Sequence, residues 1–235
     1  MATFLTGNLL AQDPAPLRTV RIIEVMPGKT AEFVELQKQF SEALKKAGQP
    51  GRSIWQEARG NTSVFHIVND AENFAELDTT NERGMSDTEW ANWLNRMGEV
   101  TKSRQVLTLQ TIPEAYIAPK KGTEPNLLRL NLVSLSSRAD TTAYTNWIVD
   151  KLSPAQRKAG GSGRTLSRVI AGDSVTTVIS ARRYSSWSEL DAPNTLSKLS
   201  SEERAEIFGH LSEIDIQDIK SLILRYRADL SFQRD

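Results

Sequence analysis

Hydrophobic and polar positions along this chain follow two periods, and the switches between them mark out the elements. From Thr19 to Met26 β-branched residues predict a strand that Pro27-Gly28 stops. Phe33, Leu36, Phe40 and Leu44 then recur at helical spacing with charges between them. They predict an amphipathic helix with Thr30 as N-cap and Gly48 and Pro50 as its end. Arg52 to Val68 returns to period two on either side of Gly60-Asn61, the signal of a hairpin with a two-residue turn. With Arg59 and Thr62 flanking that turn, Glu57 faces Val64, Trp55 faces His66 and Ser53 faces Val68. Ile54, Gln56, Ala58, Phe65 and Ile67 take the other side of the ribbon. Phe74 and Leu77 predict a short helical piece. Ser86 and Glu89 form a capping box ahead of Trp90, Trp93, Leu94, Met97 and Val100, and Gln105 to Ile112 alternates as a strand. The order β-α-β-β-α-β is the ferredoxin-like plan.

The pattern then repeats. Leu127 to Ser134 restates the first strand with Arg129 in the place of Arg21, and a helix carrying Tyr144, Trp147, Ile148 and Leu152 follows. Gly163-Arg164 restates Gly51-Arg52, Gly172-Asp173 restates Gly60-Asn61, and Ser200 and Glu203 repeat the capping box before Ile207, Phe208, Leu211 and Ile214. Lys220 to Ala228 is the closing strand. Matched positions lie 108 apart at Arg21 and Arg129, 112 at the turns and 114 at the caps, so the differences sit in loops. An internal duplication follows. It divides the chain into a first unit over 18–113, a linker over 114–126 rich in Pro, Lys and Gly, and a second unit over 127–235. Residues 1–17 stand apart as a leader. Its apolar patch Phe4, Leu5, Leu9, Leu10 and Ala11 precedes a polar, proline-containing stretch in the order of a truncated export signal, with a plain terminal tail as the alternative. The compartment stays open between cytoplasmic and exported.

Composition narrows the function classes. The chain has 235 residues, enough for two small domains, and Lys plus Arg balances Asp plus Glu at 29 each, so nothing steers the whole molecule to nucleic acid or anionic lipid. There is no cysteine, which removes disulfides and thiolate chemistry, and no run of apolar residues long enough for a membrane-spanning helix. Two distant histidines offer no paired metal site. A Gly-x-Ser-x-Gly elbow is absent, and Gly160-Gly161-Ser162-Gly163 lacks the lysine of a phosphate loop.

The chemistry-bearing residues gather on the first hairpin. His66, across from Trp55, is the candidate acid/base or haem ligand, against a structural reading as a hydrogen-bonded sheet histidine. Glu57 and Arg59 are candidates for positioning a polar substrate, with a paired, solvated rim as the alternative. In the second copy these positions become Ser167, Val169, Ala171 and Val178, so none of the four types recurs. Arg21 and Arg129 do recur, as an anion contact or as partners of an acid across the sheet. Trp90 and Trp93 are read as core residues first, and His210 as a surface histidine with haem ligation as the alternative.

The run strand, Pro27-Gly28-Lys29, Glu32-Phe33, amphipathic helix, hairpin and short aromatic helix resembles the dimeric α+β barrel superfamily, with its antibiotic-biosynthesis-monooxygenase-like proteins. The resemblance covers about 18–113 and again 127–232. It implies an α+β fold of two tandem ferredoxin-like units, their antiparallel sheets packed face to face as an intrachain barrel with helices outside. It also implies that ligands bind between sheet and helices. Family members include cofactor-independent oxygenases, haem enzymes and isomerases, and no complete catalytic set carries over to this sequence. Two functions of different class therefore follow. One is a binding protein or monooxygenase-like enzyme for a small apolar or aromatic molecule, its pocket in the first unit, with haem as an optional cofactor. The other is a non-catalytic structural or interaction protein. The expected assembly is an intrachain pseudo-dimer, with a further homodimer as an option.

Overall fold

The computed structural model describes residues 14–78, 83–120 and 126–232. Its strands are β1 (Leu17–Val25), β2 (Arg52–Glu57), β3 (Val64–Ala71), β4 (Thr101–Thr111), β5 (Leu127–Leu135), β6 (Arg164–Ala171), β7 (Thr177–Tyr184) and β8 (Ile216–Tyr226). They close into an antiparallel barrel in the order β1-β3-β2-β8-β5-β7-β6-β4. Both β4-β1-β3-β2 and β8-β5-β7-β6 have the same internal order, and short joints between β2 and β8 and between β4 and β6 link them edge to edge. Closure pairs the edges that two separate sheets would leave open. The two sheets thus share one wall and face each other across its bore.

The helices lie outside. They are α1 (Thr30–Lys46), α2 (Asp87–Val100), α3 (Arg138–Trp147), α4 (Ser153–Lys158), α5 (Trp187–Asp191) and α6 (Ser201–Gly209), with a π turn over Ile148–Leu152 joining α3 to α4. Strand period two sorts side chains between two cores. Ile23, Val25, Ile54, Phe65 and Ile67 point outward onto Phe33 and Leu36 of α1 and Met97 and Val100 of α2. Their neighbours point inward, so that Val20, Ile22, Leu107, Leu109, Val169 and Ile179 form one cluster in the bore and Trp55, Leu128 and Leu224 another. The second half has its own outer core, in which Val133, Leu135, Leu166 and Val178 meet Trp147, Ile148 and Ile207. Each large apolar side chain sealed in this way contributes roughly 1.5–3 kcal/mol.

The hairpin register is the one the alternation predicts, with Trp55 opposite His66 and Ser53 opposite Val68. The turn is longer than the predicted two residues, because β2 ends at Glu57 and β3 begins at Val64. Within it Gly60 takes φ +88°, and Asn61 accepts from the Ser63 amide through Oδ1 and from the Val64 amide through its carbonyl. Asn61 thus heads a turn of its own. Thr30 is the first helical residue of α1 rather than its cap; Lys29 holds the cap position and makes no side-chain cap bond. Both predicted capping boxes, Ser86 with Glu89 and Ser200 with Glu203, are formed.

The two halves exchange trailing segments. After β4, Ala115 is buried in the second half's core and Ile117 pairs with Arg164 of β6 through two backbone bonds of 2.9 Å. After β8 the chain returns to the first half, where Leu230 is buried in the core and Phe232 pairs with Arg52 through bonds of 2.9 and 3.0 Å. Ser41 Oγ donates to the Leu230 carbonyl at 2.6 Å, and Ser231 Oγ accepts from the Ile54 amide. Of the stretch read as a linker, 114–117 is therefore seated on the second half and 121–125 lies outside the described residues. The apolar patch of the leader also lies outside them.

Candidate functional site

Three of the predicted site residues converge inside the barrel. Trp55, Glu57 and His66 share the inward face of the β2–β3 ribbon, and His66 Nε2 lies 3.4 Å from Glu57 Oε1. Both side chains are shielded, at 4% and 11% exposure. The Trp55 ring packs 5.0 Å from that of Tyr226, and its Nε1 donates to Ser53 Oγ. Packed apolar side chains fill the bore on either side of this group. Nearer the mouth where β1 begins and β7 ends, Arg18 Nε donates to Asp70 Oδ1 at 2.8 Å. Burial and the nearby Arg18 charge lower the pKa of Arg183 there.

Arg59 and Arg21 do not join this group. Arg59 places its guanidinium 5.1 Å from the centre of the Trp187 ring, a contact to the second half. Arg21 shares the outward face of β1 with Ile23 and Val25, and its Nη1 donates to Asn69 Oδ1 at 2.8 Å. Its predicted counterpart Arg129 is exposed and sits between Arg182 and Ile223.

The outward face under α1 holds a second polar group. Arg52 is 4% exposed, directly opposite Asn69 in the β2–β3 ladder, and its Nη2 donates to the buried Gln37 Oε1 of α1. Its Nε has no acceptor, and neither Arg52 nor Arg21 forms an ion pair among the described residues. Burial, reinforced by the Arg21 charge, lowers the Arg52 pKa to about 9. It therefore remains a cation at neutral pH, where a buried charge without a counter-ion is costly. Burial first, then Arg104, also depresses Arg21. An aromatic row starts at this arginine. Its guanidinium carbon lies 5.3 Å from the Phe40 centroid, Phe40 is 4.7 Å from Trp93, and Trp93 stacks on Trp90 at 5.0 Å. All three rings are half-buried. Trp93 Nε1 donates to the Leu36 carbonyl, which fixes the α2 end of the row against α1.

The matched Arg164 of the second half is equally buried but better supplied. Its Nη2 donates to the Ala115 carbonyl and to Ser153 Oγ, and its Nη1 to Gln156 Oε1, while its Nε is again unpaired. Gly51-Arg52 and Gly163-Arg164 were visible in the sequence as a repeat, yet the recurring arginine was not singled out for chemistry. Its recurrence where the four hairpin types fail to recur was the available signal.

No protein-family model matches the chain, and no curated protein matches it in sequence. Solved structures do match its fold. A candidate monooxygenase from Lactobacillus acidophilus NCFM superposes with a TM-score of 0.62 at 10% identity, over 94% of this chain and 97% of that one. An anthrone oxidase-like protein matches at 0.60 and 13% identity, over 94% of each chain. This is the dimeric α+β barrel fold. A mutant chlorite dismutase from Candidatus Nitrospira defluvii shares the barrel at a TM-score of 0.54 and 8% identity, over 92% of this chain and 93% of that one.

The two imidazoles do not fit the outer seams of this barrel as haem ligands. His66 points into the packed bore beside Glu57, and His210 is exposed beyond α6, with Nδ1 3.5 Å from Glu213 Oε1. Among the described residues no three His, Asp or Glu side chains are grouped to hold a metal ion, and no helix is long and apolar enough to cross a membrane.

Proposed function

We propose that this chain is a small-molecule-binding protein on a monooxygenase-like scaffold, built as two fused ferredoxin-like units over 18–113 and 127–235, with its ligand between the first sheet and α1–α2. One observation carries the reading: the three half-buried rings Phe40, Trp93 and Trp90 run in a row from the poorly supplied Arg52 at the first seam, whereas the second-half row Tyr144–Trp147–Phe208 starts from no such arginine contact among the described residues. Half-buried rings beside a sheet, here with the Arg83 guanidinium 4.6 Å from the Trp90 centroid at the far end, suit the edge of a flat apolar or aromatic ligand. The packed bore offers no such surface. The test is tryptophan fluorescence of the full chain during titration with a panel of small aromatic compounds, in the wild type and in Trp93→Phe. A saturable response that Trp93→Phe alters supports the reading. A response confined to Trp187 or Trp147, identified with the matching single substitutions, would place the ligand elsewhere.

A catalytic reading has one observation in its favour, the shielded Glu57–His66 pair. A carboxylate that orients an imidazole is the arrangement of a general base. On this reading the substrate enters the bore, on the opposite face of the sheet from the seam, and His66 takes a proton from its activated carbon before oxygen reacts. His66→Ala would then abolish turnover of a ligand that still binds. Unchanged turnover in that variant would leave the pair a structural one.

A further inference from the structure

We propose that the first seam selects ligands carrying a carboxylate, held by Arg52, Arg21 and Asn69. The inference rests on the binding site proposed above and names the chemistry it reads. Three strands present these donors side by side on one outward face: Arg52 on β2 opposes Asn69 on β3, and Arg21 on β1 reaches the same Asn69 through its Nη1. β3 lies between β1 and β2 with strands about 4.8 Å apart, so the two long arginine side chains reach toward one another over Asn69, where one carboxylate can accept from both. Two cations sit here with no acid paired to either among the described residues, and Arg52 Nε is a buried donor without an acceptor. In the second seam the counterparts of Ser41 Oγ and the Leu230 carbonyl, Ser153 Oγ and the Ala115 carbonyl, both accept from Arg164. In the first seam Ser41 and Leu230 bond each other instead, and Arg52 keeps only Gln37. The same parts are thus wired so that Arg164 has three acceptors and Arg52 one, the Nε of each being unpaired. The carboxylate accepts from the Arg52 and Arg21 guanidiniums, and the body of the ligand lies along the half-buried rings.

Benzoate, its neutral analogue benzamide, and inorganic phosphate serve as probes of the full chain, read by thermal midpoint and by tryptophan fluorescence. Benzoate is expected to raise the midpoint of the wild type while benzamide at the same concentration does so far less. Arg21→Gln, at a half-buried position, should weaken benzoate about ten-fold or more, and Arg52→Met at least as much. Equal effects of benzoate and benzamide would overturn the inference; a tryptophan response to both would leave the binding site itself standing. Stabilisation by benzoate that neither substitution weakens, or none at all, would overturn it as well. Phosphate matching benzoate with the same arginine dependence would overturn the assignment to carboxylates. Benzoate stabilisation that needs both arginines but leaves the tryptophans silent would keep the anion site and remove the aromatic one.

Discussion

Arg52 and Arg164 occupy the same place in the two halves, at the start of the second strand of each sheet, under the first helix and against a segment supplied by the other half. Their surroundings differ in wiring. Around Arg164 the helix is interrupted by the π turn over Ile148–Leu152, after which Ser153 Oγ both donates to the Ile148 carbonyl and accepts from the guanidinium. Helix α1 has no such turn, and its matched Ser41 points its hydroxyl at the Leu230 carbonyl. Insertions of this kind are frequent at special sites in helices, and here the turn is followed directly by the serine that meets the buried Arg164 guanidinium. A fold can thus carry the same buried arginine twice and supply it with three acceptors in one half and one in the other.

The largest expected effect comes from the exchanged segments on which both arginines lean. Leu230→Ala opens a cavity at a residue 1% exposed, and the loss should be about 3 kcal/mol in urea unfolding. Next, Arg164→Met strands the Ala115 carbonyl, Ser153 and Gln156 and should cost on the order of 2–3 kcal/mol, whereas Arg52→Met removes a poorly supplied charge and should stay within about 1 kcal/mol of wild type. Equal costs for the two would erase the distinction drawn here. Ser41→Ala sharpens it further. If Arg52 turns to the freed Leu230 carbonyl as Arg164 does to that of Ala115, the cost in the wild type should be about 0.5 kcal/mol. In the Arg52→Met background it should rise to about 1–1.5 kcal/mol, a coupling that a double-mutant cycle detects.

The smallest effect separates the helix starts. Asp140 accepts from Ser137 and Ser136 and from the Asp215 amide, and these bonds depress its pKa below the usual 3.8. A carboxylate lowered on folding stabilises above its unfolded value and loses that contribution as pH falls through the folded one. Amide exchange at the start of α3 should therefore accelerate below about pH 4 relative to the start of α1, which has no side-chain cap to lose. Parallel behaviour of the two would show that Asp140 contributes nothing there.

Local patterns were the legible part of this protein. The register of Trp55 with His66 follows from alternation alone, and the capping boxes at Ser86 and Ser200 follow from four residues each. The meeting of Glu57 with His66 was implied by the same alternation, since inward neighbours on paired strands come within reach of each other. The remainder depends on contacts between distant segments. Nothing near Arg52 in sequence announces that it is buried, because its cover comes from Gln37 on a helix and from Leu230 and Phe232 after β8. Arg59 read as a neighbour of Glu57 until the turn lengthened and released it toward Trp187. The edge joints that close the barrel are likewise set by three-dimensional fit between the halves, at positions with no distinctive composition.

The exchanged segments also give the chain a direction in time. Synthesis proceeds from the amino terminus, and a domain whose parts are all present can fold as it emerges. The segment that seats on the second half, around Ala115 and Ile117, is made before the strands it will cover. The first half is in the opposite position: β2 awaits β8 as its edge partner, and the core around Phe33 and Phe65 awaits Leu230. Its assembly is therefore bound to completion of the second half, and the nascent first half must remain unfinished while more than a hundred further residues are added.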